Sequence, residues 1–481
     1  MKALSARNTP VRKRVARLAA PLLASLLLAA APAWSLSPDA DGHTAVVGVR
    51  LSDLDPASWI ARLEQPHQLL LDREGIATLN ARMRAEDPSI QDIAALPDPL
   101  PRQFVRAQVE KLSSPPARTL YDERGQPVPA RTLAALQREL ALDAIPASRP
   151  LRYGLVVHRA ALRAFPTSLR VFSSPGDTDI DRFQESALFP GDAVAVLHES
   201  RGRQWLFVAS ERYSAWIEAR HVAIGTREEV LGYASRTPYI VVTGATVRTT
   251  YTPEEPRVSA LQLDMGLRLP LRTVLDPSRP VHGQHPYASH VVDLPARRAD
   301  GSLEFVPALV PRSADVAADY LPLTPANLIA QAFKFLGERY GWGHSYDARD
   351  CSGFVSEVYR SFGILMPRNT RDQAVSPPLD RIGFEPGDDP ARRQAAVRGL
   401  QVGDLVYIPG HVMMAIGHRD GMAYVIHDTN GGGWRGPDGG RVSAGLNGVS
   451  LTPLDPLLFN DKQTYVDRMT SIQRVRPRPS R

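Results

Sequence analysis

Cysteine is the scarcest residue in this 481-residue chain, which contains a single one, Cys351. A lone thiol cannot close an internal disulfide, so the fold cannot rest on such cross-links. In oxidising compartments cysteines are normally paired or absent. An unpaired thiol there needs either a chemical task or a buried position, where cysteine packs as a small apolar side chain. The count alone leaves both readings open.

Long apolar runs are also scarce. The one candidate, Leu18–Ala31, is too short for a membrane span, which needs about 20 residues. Basic residues precede it and the small residues of Pro32–Ser35 follow, an order typical of a secretory signal peptide. We predict a signal peptide over residues 1–35 and an exported, periplasmic or secreted protein with no stable membrane anchor after cleavage. The alternative is an uncleaved anchor. The lack of a nearby cysteine excludes a lipoprotein.

Excess charge of one sign is absent once this segment is removed. The formal net charge is +6, and the first 35 residues hold six Lys and Arg and no Asp or Glu. The mature chain is therefore neutral, and the sequence pI of about 9.4 does not indicate a nucleic-acid partner.

The chain is too long for one hydrophobic core, so several domains are expected. Residues 36–150 mix proline-rich breaks with helical spacing, as at Ile76, Leu79 and Met83, and predict a mixed, mostly helical N-terminal stabilising domain. Residues 151–228 contain short strands, including a predicted hairpin with Trp205 and Trp216, and residues 235–315 repeat this character. Two small β-barrels are therefore predicted.

Residues 322–475 predict an α+β domain. Thr324-Pro325 marks a helix start and Gly337 its end. Asp350 is the expected cap of a second helix that begins at Cys351. Three strands are then predicted at 404–408, 411–416 and 422–427.

The position of Cys351 suggests a nucleophile. At the first turn of a helix, free N–H groups and the positive end of the helix dipole favour the thiolate, which is the reactive form. A structural cysteine would more naturally lie further along the buried face.

Two histidines are candidate partners for this thiol. His411 opens one strand and His427 ends the next, so an antiparallel pairing places both at one edge of the sheet. That arrangement suits an imidazole base oriented by a second polar group. The alternatives are a hydrogen-bonded pair without a catalytic role, a zinc site formed with Cys351, and His344 as a rival base. His418 is predicted to lie in the turn at the far end.

These residues resemble a known family. The segments Tyr340-Gly341-Trp342-Gly343, Asp350-Cys351-Ser352-Gly353-Phe354, Gly403-Asp404-Leu405 and Gly410-His411-Val412 occur in the order seen in NlpC-type bacterial cell-wall cysteine peptidases. The resemblance implies a papain-like enzyme without cofactor or metal that hydrolyses the bond between D-γ-glutamate and a diamino acid in murein stem peptides or peptidoglycan. It implies Cys351 as nucleophile, His411 as general base, His427 as its orienting residue and Tyr340 as the active-site tyrosine.

The upstream order is similar to a subgroup of that family with two bacterial SH3-like modules, on the evidence of Arg163–Thr167, Trp205 and Trp216. There the first module walls the active site and favours substrates with a free N-terminal L-Ala. The resemblance also implies that Asp350 and Ser352 help to hold the ligand. His344 replaces the usual second glycine, which bears on the shape of that loop.

Two other functions fit the same sequence. One is a non-catalytic murein-binding protein that works through its SH3-like modules. The other is a papain-like acyltransferase that uses the same thiol intermediate.

Overall fold

The computed structural model of the chain describes residues 42, 44–276, 278–435 and 439–476. The predicted signal peptide lies outside the described residues. No helix within these ranges is long and apolar enough to cross a membrane.

The N-terminal region is mostly helical, as predicted. Asp72 caps the second helix, in which the buried side chains are Ile76, Leu79 and Met83, the three residues with helical spacing. The elements of this region are α1 (Pro56–Ile60), α2 (Arg73–Glu86), α3 (Arg102–Leu112), α4 (Ala130–Glu139), β1 (Leu100–Pro101) and β2 (Ser148–Arg149).

The helices of this region belong to two different hydrophobic cores. Trp59 of α1 and Met83 of α2 are buried in the same cluster as the C-terminal helices. Val105 of α3 and Leu136 of α4 are buried with Trp216 of the following β unit. In the described part of the chain, no buried cluster consists of N-terminal residues alone. The region therefore stabilises both of its neighbours.

The first β unit is one seven-stranded antiparallel sheet with both faces buried. The predicted hairpin is confirmed, because Trp205 pairs with Glu218 and Phe207 pairs with Trp216. Its strands are β3 (Arg152–Val156), β4 (Ala160–Arg163), β5 (Gln184–Leu188), β6 (Ala193–Glu199), β7 (Trp205–Ala209), β8 (Ser214–Glu218) and β9 (Val222–Gly225), in the spatial order β5-β4-β8-β7-β6-β3-β9.

A second β unit follows the short helix α5 (Arg227–Gly232) and has its own apolar core around Val242, Leu263 and Val292. Its long hairpin turns at Asp300-Gly301. Its strands are β10 (Tyr239–Val242), β11 (Thr246–Arg248), β12 (Gln262–Asp264), β13 (Arg268–Pro270), β14 (Ser289–Arg297), β15 (Leu303–Pro311) and β16 (Val316–Ala317). They form small separate sheets, and an SH3-like classification of this unit stays a prediction.

The C-terminal unit combines helices with a six-stranded antiparallel sheet, the α+β order predicted from the sequence. Thr324 caps its first helix, and Gly337 follows that helix with φ of +84°. Its helices are α6 (Pro325–Phe333), α7 (Cys351–Arg360), α8 (Thr370–Gln373) and α9 (Pro390–Arg398); its strands are β17 (Asp380–Gly383), β18 (Leu405–Ile408), β19 (His411–Arg419), β20 (Met422–Thr429), β21 (Gly432–Arg435), β22 (Arg441–Ala444), β23 (Gly448–Pro453) and β24 (Ser471–Arg474).

The sheet has the order β17-β24-β18-β19-β20-β23. Helices α6 and α7 pack on one face through residues such as Phe354, against Val412 and Met414 of β19. Met413 and Ala415 face the opposite core. This alternation follows from the two-residue period of a strand.

One prediction about this sheet was wrong. His418 lies within β19 and not in a turn, because β19 and β20 extend to Arg419 and Met422. A bulge between Ala415 and Gly417 shifts the register, which the regular alternation of the sequence did not reveal.

Candidate active site

The tip of α7 is built around Asp350, which caps the helix as predicted. Its Oδ1 accepts a hydrogen bond from the Gly353 N–H at 2.8 Å, and its Oδ2 accepts one from the Gly343 N–H at 3.0 Å. The guanidinium of Arg368 donates to the same carboxylate at 2.8 Å. Cys351 is the first residue of the helix, where backbone N–H groups lack intrahelical partners.

Asp350 is ionised despite its burial. Burial alone would raise the pKa of this carboxyl. The positive charge of Arg368, the interaction with His344 and the hydrogen bonds together outweigh burial and bring the pKa to about 2. A fixed negative charge therefore lies next to Cys351.

Cys351 is only 5% exposed, and its Sγ lies 3.6 Å from Thr370 Oγ1. Burial, followed by the charge of Asp350, raises the pKa of the thiol to about 12, against the opposing hydrogen bonds from Thr370 and the Val412 N–H. The helix start was predicted correctly, but the expected preference for the thiolate is reversed. The sequence shows the cap residue as a helix signal and does not show that its charge faces the sulfur.

His411 and His427 are brought together in the neighbouring strands β19 and β20, although β20 continues to Thr429 and does not end at His427 as predicted. Nε2 of His411 lies 2.7 Å from Nδ1 of His427, and Nε2 of His427 lies 3.0 Å from Thr452 Oγ1. Burial lowers the pKa of His411 to about 4, and burial followed by His411 lowers the pKa of the fully buried His427 well below its usual value. Both rings are therefore neutral at neutral pH.

The hydrogen-bond chain defines a consistent set of tautomers. A neutral imidazole donates from one nitrogen and accepts at the other. If His411 donates from Nε2 to His427, then His427 donates from its own Nε2 to Thr452. Nδ1 of His411 is then left as the proton acceptor. Val412, the next residue of β19, donates its N–H toward the sulfur of Cys351, so the start of β19 lies close to the thiol.

His344 is engaged elsewhere. Its Nδ1 lies 2.9 Å from Arg368 Nη2 and its Nε2 lies 3.3 Å from Glu357 Oε1. Both ring nitrogens have partners other than Cys351, so His344 is a poor candidate base. Its φ of +65° is in the left-handed region that favours glycine. The loop thus keeps a glycine-like conformation although a histidine replaces the glycine.

Tyr340 and Ser352 lie in the same buried region. Tyr340 is 7% exposed, and burial followed by Cys351 raises the pKa of its phenol. Ser352 Oγ donates to Asp350 and accepts from Arg368 at 2.9 Å. Asp350 and Ser352 thus fix the helix tip, and their predicted contact with a ligand stays a prediction.

The upstream units hold the loop that leads to Cys351. Arg159 of the first β unit donates to the carbonyls of His344 and Ala348 at 2.8 and 2.6 Å. Gln184 of β5 donates to the Gly343 carbonyl at 2.7 Å. The loop cannot keep this geometry without the first β unit.

A buried ion network joins the second β unit to the same region. The fully buried Arg349 pairs with Asp264 of β12 at 2.7 Å and with Glu357 of α7 at 2.9 Å. Its remaining guanidinium N–H groups donate to Glu338 and to the Ala245 carbonyl. The residue before the helix cap is thereby anchored to a different β unit.

Two clefts flank the Cys351–His411 region. The larger, about 690 Å³, is lined by N-terminal residues such as Lys111, by Tyr213 of the first β unit and by Asn369, the neighbour of Thr370. The smaller, about 310 Å³, includes Tyr465, whose ring centroid is 6.2 Å from that of His411.

Several residues of the site were missed by the sequence analysis. They carry no spacing signal of their own, since Arg368 lies in a loop, Thr370 begins the short helix α8 and Thr452 lies in a distant strand. Asp428 had one available signal, a carboxylate that directly follows the apolar run of β20 and His427. Within the described ranges, no group of three or more His, Cys, Asp or Glu side chains is arranged to hold a metal ion, so the zinc alternative gains no support.

Comparison with known proteins gives matches to two sequence families and to solved structures. The NlpC/P60 family matches residues 337–434, and an SH3 domain of the SH3b1 type matches residues 170–218. No curated protein matches the chain.

A solved structure, described as a novel NlpC/P60 endopeptidase from Photobacterium damselae subsp. piscicida, is similar with a TM-score of 0.70 and 16% identity. The match covers 87% of this chain and 96% of that one. At this identity the likeness establishes the fold alone. An NlpC/P60 family protein from Bacillus cereus ATCC 10987 matches at a TM-score of 0.44 and 20% identity, over 68% of this chain and 100% of that one, which is too low to support a structural argument.

The NlpC/P60 family generally comprises cell-wall cysteine peptidases, and its match spans Tyr340, Cys351, His411 and His427. Residues 337–434 are thus an NlpC/P60 domain, and an SH3 domain of the SH3b1 type lies upstream of it at residues 170–218.

Proposed function

We propose that this protein is an endopeptidase that hydrolyses the bond between D-γ-glutamate and a diamino acid in murein peptides. Cys351 is the nucleophile, His411 the general base and His427 the residue that orients it. The observation that carries the proposal is the 2.7 Å contact between His411 Nε2 and His427 Nδ1. It leaves the second nitrogen of His411 free to serve the only thiol of the chain.

The chemistry starts from a neutral pair. The Cys351 thiol gives its proton to Nδ1 of His411 as the sulfur bonds to the γ-carbonyl carbon. N–H groups at the start of α7 stabilise the oxyanion. The carbon–nitrogen bond then breaks, and His411 returns the proton to the leaving amine. Water, deprotonated by the same imidazole, hydrolyses the thioester and restores the thiol.

The two flanking clefts support a peptide substrate, because a cut in the middle of a chain needs room on both sides of the scissile bond. One cleft is lined by Tyr213 and by Asn369, the neighbour of Thr370, and the other is lined by Tyr465, whose ring contacts that of His411. The SH3 domain therefore borders the space in which one half of the substrate lies, which supports murein as the ligand.

The test uses purified mature protein and the peptide L-Ala-γ-D-Glu-diaminopimelate. We expect release of diaminopimelate by the wild type and no release by Cys351→Ala. The single thiol allows a second measurement, since iodoacetamide should label the wild type once and should not label this variant.

Intact protein without any product from this peptide would disprove the proposed specificity. A product in which the glutamyl group is joined to an added amine would identify an acyltransferase. Binding to peptidoglycan without turnover, unchanged in Cys351→Ala, would identify the non-catalytic alternative.

We also propose that the protein is exported and that residues 1–35 are removed. The order of basic, apolar and small residues in this segment supports export. The mass of the protein recovered from the periplasm or medium of an expressing bacterium should correspond to a chain that begins near residue 36. A full-length mass in the membrane fraction would contradict cleavage.

A further inference from the structure

Asp428 is a buried carboxyl beside the nucleophile that the proposed mechanism does not use. It follows His427 in β20, is fully buried, and neither of its oxygens has a hydrogen-bond partner among the described residues. Buried polar groups are nearly always paired, so such a side chain calls for an explanation.

The faces of β20 place Asp428 on the other side of the sheet from the histidines. It shares a face with Ile426, which packs in the cluster that contains Cys351 and Phe354 of α7. His427 points to the opposite face. Asp428 therefore lies on the face of the sheet against which α7 packs.

The charged groups around Asp428 disfavour its ionisation. Two carboxyl groups act on it, Asp350 at the helix tip and Glu338 in the segment before the helix. The phenol of Tyr340 is also close enough to interact with Asp428. Arg349 is the one cation that acts on it, and its guanidinium already pairs with Asp264, Glu357 and Glu338. An ionised carboxylate without a partner is costly to bury, and nearby like charges add to this cost.

The protonation of this carboxyl follows from that environment. Burial, followed by repulsion from Asp350 and Glu338, raises the pKa of Asp428 to about 9. At neutral pH it is a carboxylic acid that carries a proton and no charge.

The effect on the reaction is electrostatic. Asp428 acts on both Cys351 and Tyr340, and its ionisation would make the thiolate harder to form. During the reaction, negative charge develops on the sulfur and then on the substrate oxygen. A neutral Asp428 permits this negative charge to form, and an ionised Asp428 opposes it.

We propose that Asp428 is a positioning residue that must stay a neutral acid beside Cys351, and that its ionisation sets the alkaline limit of the enzyme. This inference rests on the proposed peptidase function. It adds a second control of the nucleophile, independent of the histidine pair.

The test compares the pH dependence of kcat/KM for the wild type, Asp428→Asn and Glu338→Gln. The wild type should lose about tenfold between pH 8 and pH 10, as expected for ionisation near pH 9. Asp428→Asn keeps a neutral side chain of the same shape and should retain activity at pH 7.5 without this decline. Glu338→Gln removes one of the two carboxylates that raise the pKa of Asp428, so its decline should begin at a lower pH than that of the wild type.

A decline in Asp428→Asn equal to that of the wild type would overturn the proposal. So would a folded Asp428→Asn that is inactive at pH 7.5, because that result would mean that the charged form is required. Since all three proteins meet the same substrate, ionisation of the substrate cannot account for a difference.

Alkylation of Cys351 by iodoacetamide gives a readout that needs no substrate. At pH 10 the thiol of Asp428→Asn should react about tenfold faster than that of the wild type, since one nearby like charge shifts a pKa by about one unit or more. Equal rates would overturn the proposal. If the peptide is not cleaved but the rates differ, the proposed function fails and the electrostatic role of Asp428 stands.

The stability of the folded protein provides a second check. A carboxyl whose pKa is higher in the folded than in the unfolded chain loses its contribution to stability as the pH rises between the two values. Asp428→Asn should therefore melt at a higher temperature than the wild type, by a margin that grows from pH 5 to pH 8. A margin that does not change with pH would show that Asp428 is not buried as a neutral acid.

Discussion

The chemical character of this site comes from individual side chains whose neutral forms persist over an unusually wide pH range. The thiol of Cys351 and the imidazole of His411 have pKa values of about 12 and about 4 because both groups are buried. The resting pair is therefore a thiol and a neutral imidazole. In the proposed mechanism, proton transfer therefore has to accompany attack, with His411 as the general base.

This neutral pair predicts an unusually acid-tolerant enzyme. His411 can accept a proton only while it is uncharged, so kcat/KM should fall as the pH drops through about 4. An exposed histidine would give the same decline near pH 6.5, at about its ordinary pKa. The measurement is kcat/KM between pH 3.5 and pH 8, with circular dichroism to confirm that the protein is folded at each point.

Two variants test this prediction. His411→Ala should reduce kcat by about 10²- to 10⁴-fold at all these pH values. His418→Gln is the matched control, since His418 lies in the same strand with its Nε2 near the Val397 carbonyl, and it should reproduce the wild-type profile. An acid limb near pH 6.5 in the wild type would contradict the neutral pair.

At the scale of single elements, the start of α7 depends on a side chain from outside the helix. Arg368 donates to both oxygens of Asp350 and also contacts Ser352, His344 and Ser186 of β5. The cap residue is an ordinary helix signal, but a buried cap that stays ionised needs this cation. Arg368 is therefore what keeps Cys351 in place.

Removal of this cation should be costly. Arg368→Met keeps most of the side-chain volume but leaves Asp350 buried and charged without its partner, so the free energy of unfolding should fall by about 3–5 kcal/mol. Urea titration measures it. Arg371→Met is the matched control, because the Arg371 side chain is 89% exposed, and it should be close to the wild type. Equal effects of the two substitutions would refute the role of Arg368.

At the scale of the whole molecule, the units are joined by shared cores and by buried charges. Trp59 of the N-terminal region is 1% exposed, and its ring centroid lies 4.9 Å from that of Tyr424 in the six-stranded sheet. Asp264 of the second β unit pairs with Arg349 and with Arg159 of the first. The active-site loop is thus held by three units together, and a C-terminal fragment alone would lack these partners.

This joint anchoring predicts that a substitution in the second β unit disables a distant site. Asp264→Ala leaves two buried arginines with one carboxylate fewer, and should cost about 3 kcal/mol of unfolding free energy and lower kcat/KM. Asp347→Ala is the matched control, since Asp347 also contacts Arg159 but its side chain is 73% exposed, and it should change little. Urea denaturation and peptide hydrolysis are measured for both variants. Equal effects of the two substitutions would contradict the anchoring role of Asp264.

The sequence by itself determined what depends on neighbours along the chain. Capping and spacing located the helix that begins at Cys351, and strand alternation with a short connection located His411 and His427 at one edge. These features follow local rules of period and termini.

Only the tertiary structure decided the charge states and the supports of the site. The pKa of Cys351, the neutral Asp428 and the ties from Arg159, Arg349 and Arg368 arise from groups distant in sequence, and so do the two cores that divide the N-terminal region. The bulge in β19, which moved His418 out of the predicted turn, is of the same kind. Burial and Coulomb interaction depend on distance in space, which no local pattern along the chain records.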